Sequence, residues 1–105
     1  MRVIVLGSAA GGGVPQWNSN APACQAARRG DPTAPPRSQT GLAVGDGMHW
    51  YLLNASPDLR QQLAATPALY PDPDTLRGSP IAGVVLTGGE IDAVAGLLTL
   101  REGHA

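Results

Sequence analysis

The chain has 105 residues, 7 basic and 8 acidic, for a formal net charge of −1, which gives no electrostatic case for a nucleic-acid partner or a membrane surface. Its single cysteine excludes an internal disulfide framework. Residues 1–7 are too short for a signal-peptide core and no apolar run approaches spanning length, so the expectation is a soluble cytoplasmic protein without membrane insertion.

In chain order, Val3 to Leu6 is a β-branched and aliphatic run ending at Gly7, read as a strand buried on both faces. Residues 8–40 have little periodicity and form a long excursion with a helical turn near Gln25–Arg29. Two strand-like runs follow, Leu42–Val44 and His49–Leu53, and the Asp46-Gly47 between them is a hairpin signal. Ser56-Pro57 reads as an N-cap and first helical residue, with Asp58 in the first turn and Leu59 and Leu63 on one face of the helix. Residues 66–80 are a proline-rich loop. Residues 81–87 read as another buried strand and 90–102 as a second helix. The order strand, loop, hairpin, helix, strand, helix predicts an α/β protein with a mixed sheet, forming one domain or part of one. With no Phe and two each of Trp and Tyr, its core is mainly aliphatic.

Several stretches resemble functional motifs without completing them. "GSAAGGG" after the first strand fails the dinucleotide fingerprint at Ala9, and fails the P-loop because Gly13-Val14 stand where Lys and Ser/Thr are required. The glycines read instead as backbone passing close to neighbouring chain or to the floor of a site. Asn54-Ala55-Ser56 is formally a glycosylation sequon, but Ser56 is better placed to cap a helix. In "QWNSNAPAC", residues 16–24, positions 19, 21 and 24 have a spacing at which three cysteines could grip one zinc, yet Ser19 and Ala21 fill two of them.

"VLGSAAGGGVPQWN", "LLNASPDLRQQL", "SPIAGVVLTGGEID" and "GLLTLREG" together resemble the coenzyme PQQ synthesis protein B (PqqB) family, of the metallo-β-lactamase-like superfamily. The resemblance covers nearly the whole chain and corresponds to the amino-terminal portion of a longer family sequence, so residues 1–105 are expected to form the amino-terminal half of an αββα fold, with a mixed sheet and flanking helices. It implies cysteines of a structural zinc knuckle at positions 19, 21 and 24. With only Cys24 left, structural zinc is not expected, and Cys24 reads as a small buried apolar residue of a degenerate knuckle. The superfamily's H-x-H-x-D-H motif falls on "GGEIDA" and puts Gly88, Glu90, Asp92 and Ala93 at its ligand positions. Glu90 and Asp92 remain as oxygen donors suited to iron(II), manganese or magnesium, though two are too few alone. The alternative, that they simply favour the first turn of a helix, stays open. Gly11, Gly12 and Gly13 are the expected site floor. His49 reads as a half-exposed sheet residue, and His104 as frayed at the chain end.

The resemblance implies a step in making the redox cofactor pyrroloquinoline quinone (PQQ): iron- and oxygen-dependent hydroxylation of the tyrosine of a small Glu-Tyr peptide precursor. A non-catalytic binding or carrier role that moves PQQ or its precursor toward the periplasm, or a truncated metal-free scaffold, is the competing reading. Whether the chain is itself catalytic stays open. Because the strands amount to half of the expected fold, self-association or a completing carboxy-terminal half is expected.

Overall fold

The computed structural model describes residues 1–101; His104 and the end of the expected second helix lie outside them. Four strands form one mixed sheet in the order β1 (Arg2–Gly7), β2 (Gly41–Gly45), β3 (Trp50–Leu53), β4 (Ile81–Val85). β1 and β2 pair antiparallel, as do β2 and β3, while β3 and β4 run parallel. The helices are α1 (Pro22–Arg28), α2 (Leu59–Ala64), α3 (Ile91–Val94) and α4 (Leu97–Leu100), with one 3-10 turn at Pro67–Leu69. The α/β class and the mixed sheet are as the sequence predicts.

Register sorts the strand side chains onto two faces, because cross-strand partners point the same way. Ile4, Ala43, Leu52 and Val84 align across the sheet on one face. With Trp50, Ile81, Ala55 and Leu59 of α2 they form the core, to which the 3-10 turn adds Leu69 and α4 adds Leu100. Trp50 and Leu52 are fully enclosed, and the Arg2 guanidinium lies 5.4 Å from the centre of the Trp50 ring. Val3, Val5, Leu42, Val44, Tyr51, Leu53 and Val85 align on the other face. There Val3 is 54%, Val5 64%, Tyr51 49% and Val85 50% exposed. This corrects the expectation that β1 and β4 are buried on both faces. Their apolar runs would suit double burial, but among the described residues only one face carries a covering layer.

The Asp46-Gly47 hairpin forms, with a turn two residues longer than the dipeptide. The Asp46 carboxylate accepts from the backbone N–H of Met48 and His49, at 2.9 and 2.8 Å, and so closes the turn. His49 is therefore an exposed turn residue and not a sheet residue. The 8–40 excursion is ordered. It leaves and returns side by side, with Ser8 and Ala9 N–H donating to the Ser38 carbonyl and Thr40 N–H to that of Ala9. Its helix begins at Pro22, three residues before the expected turn, where the fixed φ of proline suits a first helical position.

α2 starts at Leu59, two residues later than Ser56-Pro57 suggests. Ser56 is fully buried and its hydroxyl accepts from Asp58 N–H in a local turn, leaving the Asp58 carboxylate free for a distant partner. The helix expected over 90–102 is broken into α3 and α4. At the break, Gly96 passes so close to the preceding segment that a methyl group there would stand 2.4 Å from the Ser56 carbonyl oxygen. Gly96 N–H donates to the Ala55 carbonyl, a bond a continuous helix would not make.

Candidate metal site at the strand ends

The parallel pair β3 and β4 ends on the same side of the sheet, and both chains leave there into loops. In open α/β sheets this is where functional groups gather. Asn54 follows β3 in the left-handed region, at φ 67°, a conformation that asparagine tolerates better than most residues. Its side chain spans to the exit of β4: Nδ2 donates to Thr87 Oγ1 at 2.8 Å, and Oδ1 accepts from Thr87 N–H at 2.8 Å. This clip fixes the start of the segment that delivers Glu90 and Asp92.

Glu90 precedes α3, and its carbonyl accepts from the N–H of Ala93 and Val94; Asp92 lies in the first turn. The two carboxylates line a cavity of about 220 Å³, together with Gly11, Gln39, Thr40, Asn54 and Ala93. A methyl group at Gly11 would stand 2.3 Å from Asp92 Oδ2, so the glycine backbone is the wall against which that carboxylate rests. Gly12 and Gly13 do not line this cavity. They open onto a neighbouring cleft of about 270 Å³ that includes Arg37, Asp58 and Gln61. A larger hollow of about 450 Å³ lies between α2, the 3-10 turn and α4, lined by Leu63, Leu69, Ile81 and Leu100. Its rim also carries Tyr70, Arg77, Ser79 and Thr99, but no Asp, Glu, His or Cys lines it, so its size does not make it a metal site.

The donor set suits a hard divalent cation in kind, since two carboxylates, two amides (Gln39 and Asn54) and the Thr40 hydroxyl line one cavity. It falls short in number. Gly88 and Ala93 offer no side-chain donor, and among the described residues no group of three or more His, Cys, Asp or Glu stands close enough to hold a metal. The residues present thus fit part of a metal site.

Cys24 is buried, and the 16–24 loop is closed by hydrogen bonds. Gln16 N–H donates to Cys24 Sγ at 3.4 Å, Ser19 Oγ accepts from Ala21 N–H at 3.1 Å, and Arg28 donates to the Gln16 carbonyl at 2.5 Å. The Gln16 N–H, then the Ser19 hydroxyl and the Arg28 charge hold the Cys24 thiol below its ordinary pKa against the opposing effect of desolvation.

The sequence singles out neither Gln39 nor Thr40, and Asn54 stands out there only as part of a formal glycosylation sequon, not as a residue of this site. Asn54 had a readable signal, a turn-tolerant asparagine ending a strand-like run. Gln39 and Thr40 had none, because their places depend on the two limbs of the excursion coming together.

Residues 49–105 match a family model described as a beta-lactamase superfamily domain, more than half of the chain. The chain belongs to that superfamily. The resemblance to coenzyme PQQ synthesis protein B holds as well. The chain is 67% identical over 101 residues to that protein from Gluconacetobacter diazotrophicus and 62% identical over 104 residues to that from Rhodopseudomonas palustris. These comparisons cover 95% and 98% of the chain and 33% of each relative. A crystal structure of Zn2+-bound PqqB from Methylobacterium extorquens superposes with a TM-score of 0.94 at 57% identity, over 99% of this chain and 35% of that one. A diphosphatase of the PhnP family, 24% identical with a TM-score of 0.68, covers 96% of this chain and 34% of its own and shares the fold. The chain thus spans about one third of the length of the superfamily relatives it matches.

Proposed function

We propose that the chain acts in the biosynthesis of pyrroloquinoline quinone, as the portion of a PqqB-type protein that carries Glu90 and Asp92. The observation that carries this reading is the 67% identity to a PQQ synthesis protein B over 95% of the chain. On this reading Glu90 and Asp92 hold a divalent metal, iron for the working protein, and the substrate is a small peptide-derived precursor carrying a tyrosine. When bound, iron would let dioxygen act on the ring, one oxygen atom entering the new hydroxyl and the other leaving as water at the expense of an external two-electron reductant. The chain's own residues orient and enclose: Gly11 backs Asp92, the Asn54–Thr87 clip sets the approach of the 88–92 segment, and Thr40 adds a hydroxyl to the cavity. The compartment is proposed to be the cytoplasm; among the described residues no helix is long and apolar enough to cross a membrane.

The site is completed from outside the chain's own donors. The partial donor set, the open apolar sheet face and the one-third span together favour a carboxy-terminal completing segment, equivalent to the rest of a PqqB-length chain, that covers Val5, Val44 and Tyr51 and adds ligands.

The test is genetic. A PQQ-producing strain deleted for its own PQQ synthesis protein B is supplied with this sequence fused to the remaining two thirds of the Gluconacetobacter relative, as wild type or with Glu90→Ala and Asp92→Ala. PQQ formation by the wild-type fusion, lost in the double variant, supports the reading. Formation undiminished by the double variant moves the function away from the two carboxylates and favours a binding or carrier role.

A further inference from the structure

Asp58 and Gln39 lie 19 positions apart in sequence and meet beside the glycine loop. Asp58 Oδ2 accepts two hydrogen bonds from Gln39, from its backbone N–H at 2.9 Å and from Nε2 at 3.1 Å. Gln39 is 6% exposed and Asp58 is half-buried at the edge of the Gly12–Gly13 cleft, so these bonds are shielded from water on the Gln39 side. An ionised carboxylate only accepts, so the nitrogen of the Gln39 amide must face Asp58 and its oxygen must face away. That oxygen, Oε1, accepts from Gly12 N–H at 3.1 Å. Asp58 therefore decides which way the buried amide points, and the amide decides where Gly12 is held.

The Gly11–Gly12 peptide is a planar unit, so anchoring its N–H limits how the plane can turn. Gly11 is the residue whose backbone leaves no room for a methyl beside Asp92. One line of contacts thus runs from the turn before α2, through Gln39 and the glycine loop, to Asp92. Without it the Gly11–Gly12 peptide gains room to turn, since glycines restrain their own backbone least, and the loop keeps only its flanking bonds from Gly13 N–H to the Ala10 carbonyl and between Val14 and Arg37.

We propose that Gln39, oriented by Asp58, is a positioning residue: it fixes the glycine wall behind Asp92 and so sets how well that carboxylate is presented to a divalent metal. This rests on the reading that Asp92 serves a metal.

The experiment follows the assigned backbone amides of the full chain by NMR, reading hydrogen exchange at Gly12 and, with Mn2+ as the probe, paramagnetic broadening around Gly11 and Asp92. Broadening reports even weak binding to a partial site. Gln39→Leu removes the acceptor, Asp58→Ala frees the amide, and Asp58→Asn keeps a neutral acceptor oxygen where Oδ2 sits. The expected result is exchange at Gly12 at least about tenfold faster in Gln39→Leu and Asp58→Ala, with Mn2+ affinity about tenfold weaker. Asp58→Asn is expected to restore both. Asp58→Ala serves alone where Gln39→Leu does not fold. Unchanged Gly12 exchange in the loss variants overturns the proposal. So does an unchanged Mn2+ affinity in them, where Asp92→Ala abolishes the broadening. Failure of Mn2+ to broaden any amide near Asp92 in the wild type defeats the metal reading instead, and the Gly12 exchange still decides whether Gln39 holds the wall.

Discussion

Gly11 and Asp92 stand so close that a methyl carbon added to the glycine would come within 2.3 Å of Asp92 Oδ2. The obstructed atom is the end of a short, rotatable side chain, so the clash is relieved by swinging the carboxylate aside and the backbone need not move. Gly11→Ala should therefore change unfolding free energy by less than about 1 kcal/mol in urea while weakening Mn2+ binding about as much as Asp92→Ala does. Equal Mn2+ affinity in Gly11→Ala and wild type would separate this wall from the site.

Asn54 carries both a left-handed backbone and the clip to Thr87. Both Asn54→Ala and Asn54→Gly lose the clip, but alanine keeps a Cβ where φ is positive without asparagine's tolerance of that region, whereas glycine removes the Cβ and its strain. Relative to wild type, Asn54→Ala is expected to cost about 2–3 kcal/mol, and Asn54→Gly about 1 kcal/mol less than that. Denaturant melts of the two variants give the comparison, and equal melts would mean that the backbone conformation is not under strain.

The open face of the sheet makes a prediction about association. Val5 is 64% exposed on edge strand β1, so Val5→Lys removes little packing from the folded chain and should shift its stability by no more than about 0.5 kcal/mol. It should sharply reduce any concentration-dependent association in sedimentation velocity, because a buried lysine at a sheet-to-sheet contact is poorly tolerated. Association unaffected by Val5→Lys would locate the contact elsewhere.

The 16–24 loop is held by hydrogen bonds to and around Cys24, so its integrity should not depend on zinc. Adding a strong chelator to the purified chain is expected to leave its thermal midpoint unchanged, and a fall of several degrees would reveal a structural metal in the loop. Ser19→Ala removes one of the groups holding the thiol low, so the ultraviolet thiolate titration should move to higher pH. Because the folded-state value is depressed, the associated stability is fully present above the unfolded thiol's pKa and is lost as pH falls through the folded value.

At Asp46 the depression comes first from the His49 N–H and next from the Met48 N–H. The same sign holds: the stabilisation is complete above the unfolded aspartate range and disappears as pH falls through the lower folded value. Asp46→Ala should flatten that part of the acid limb of a stability–pH curve. An unaltered acid limb would show that the turn bonds contribute nothing on folding.

Local chemistry was enough to determine much of this molecule. Apolar runs at 3–6, 42–44 and 81–87 mark strands, the last of which ends at Val85, Asp46-Gly47 marks the hairpin, Leu59 and Leu63 mark a helix face, and four longer segments mark the superfamily. Each depends on residues a few positions apart, where spacing and backbone preference act directly. Tertiary structure alone decided which face of β1 and β4 is covered, since a run of valines fits one buried face as well as two. It decided that the last helix breaks at Gly96, because the Ser56 carbonyl presses there from forty residues away in sequence. It also decided that Asp58 serves Gln39 rather than a helix end, and that Gly11 alone of the three glycines meets Asp92. Those relationships join segments that share no local pattern, and close packing of the folded chain is what brings them into contact.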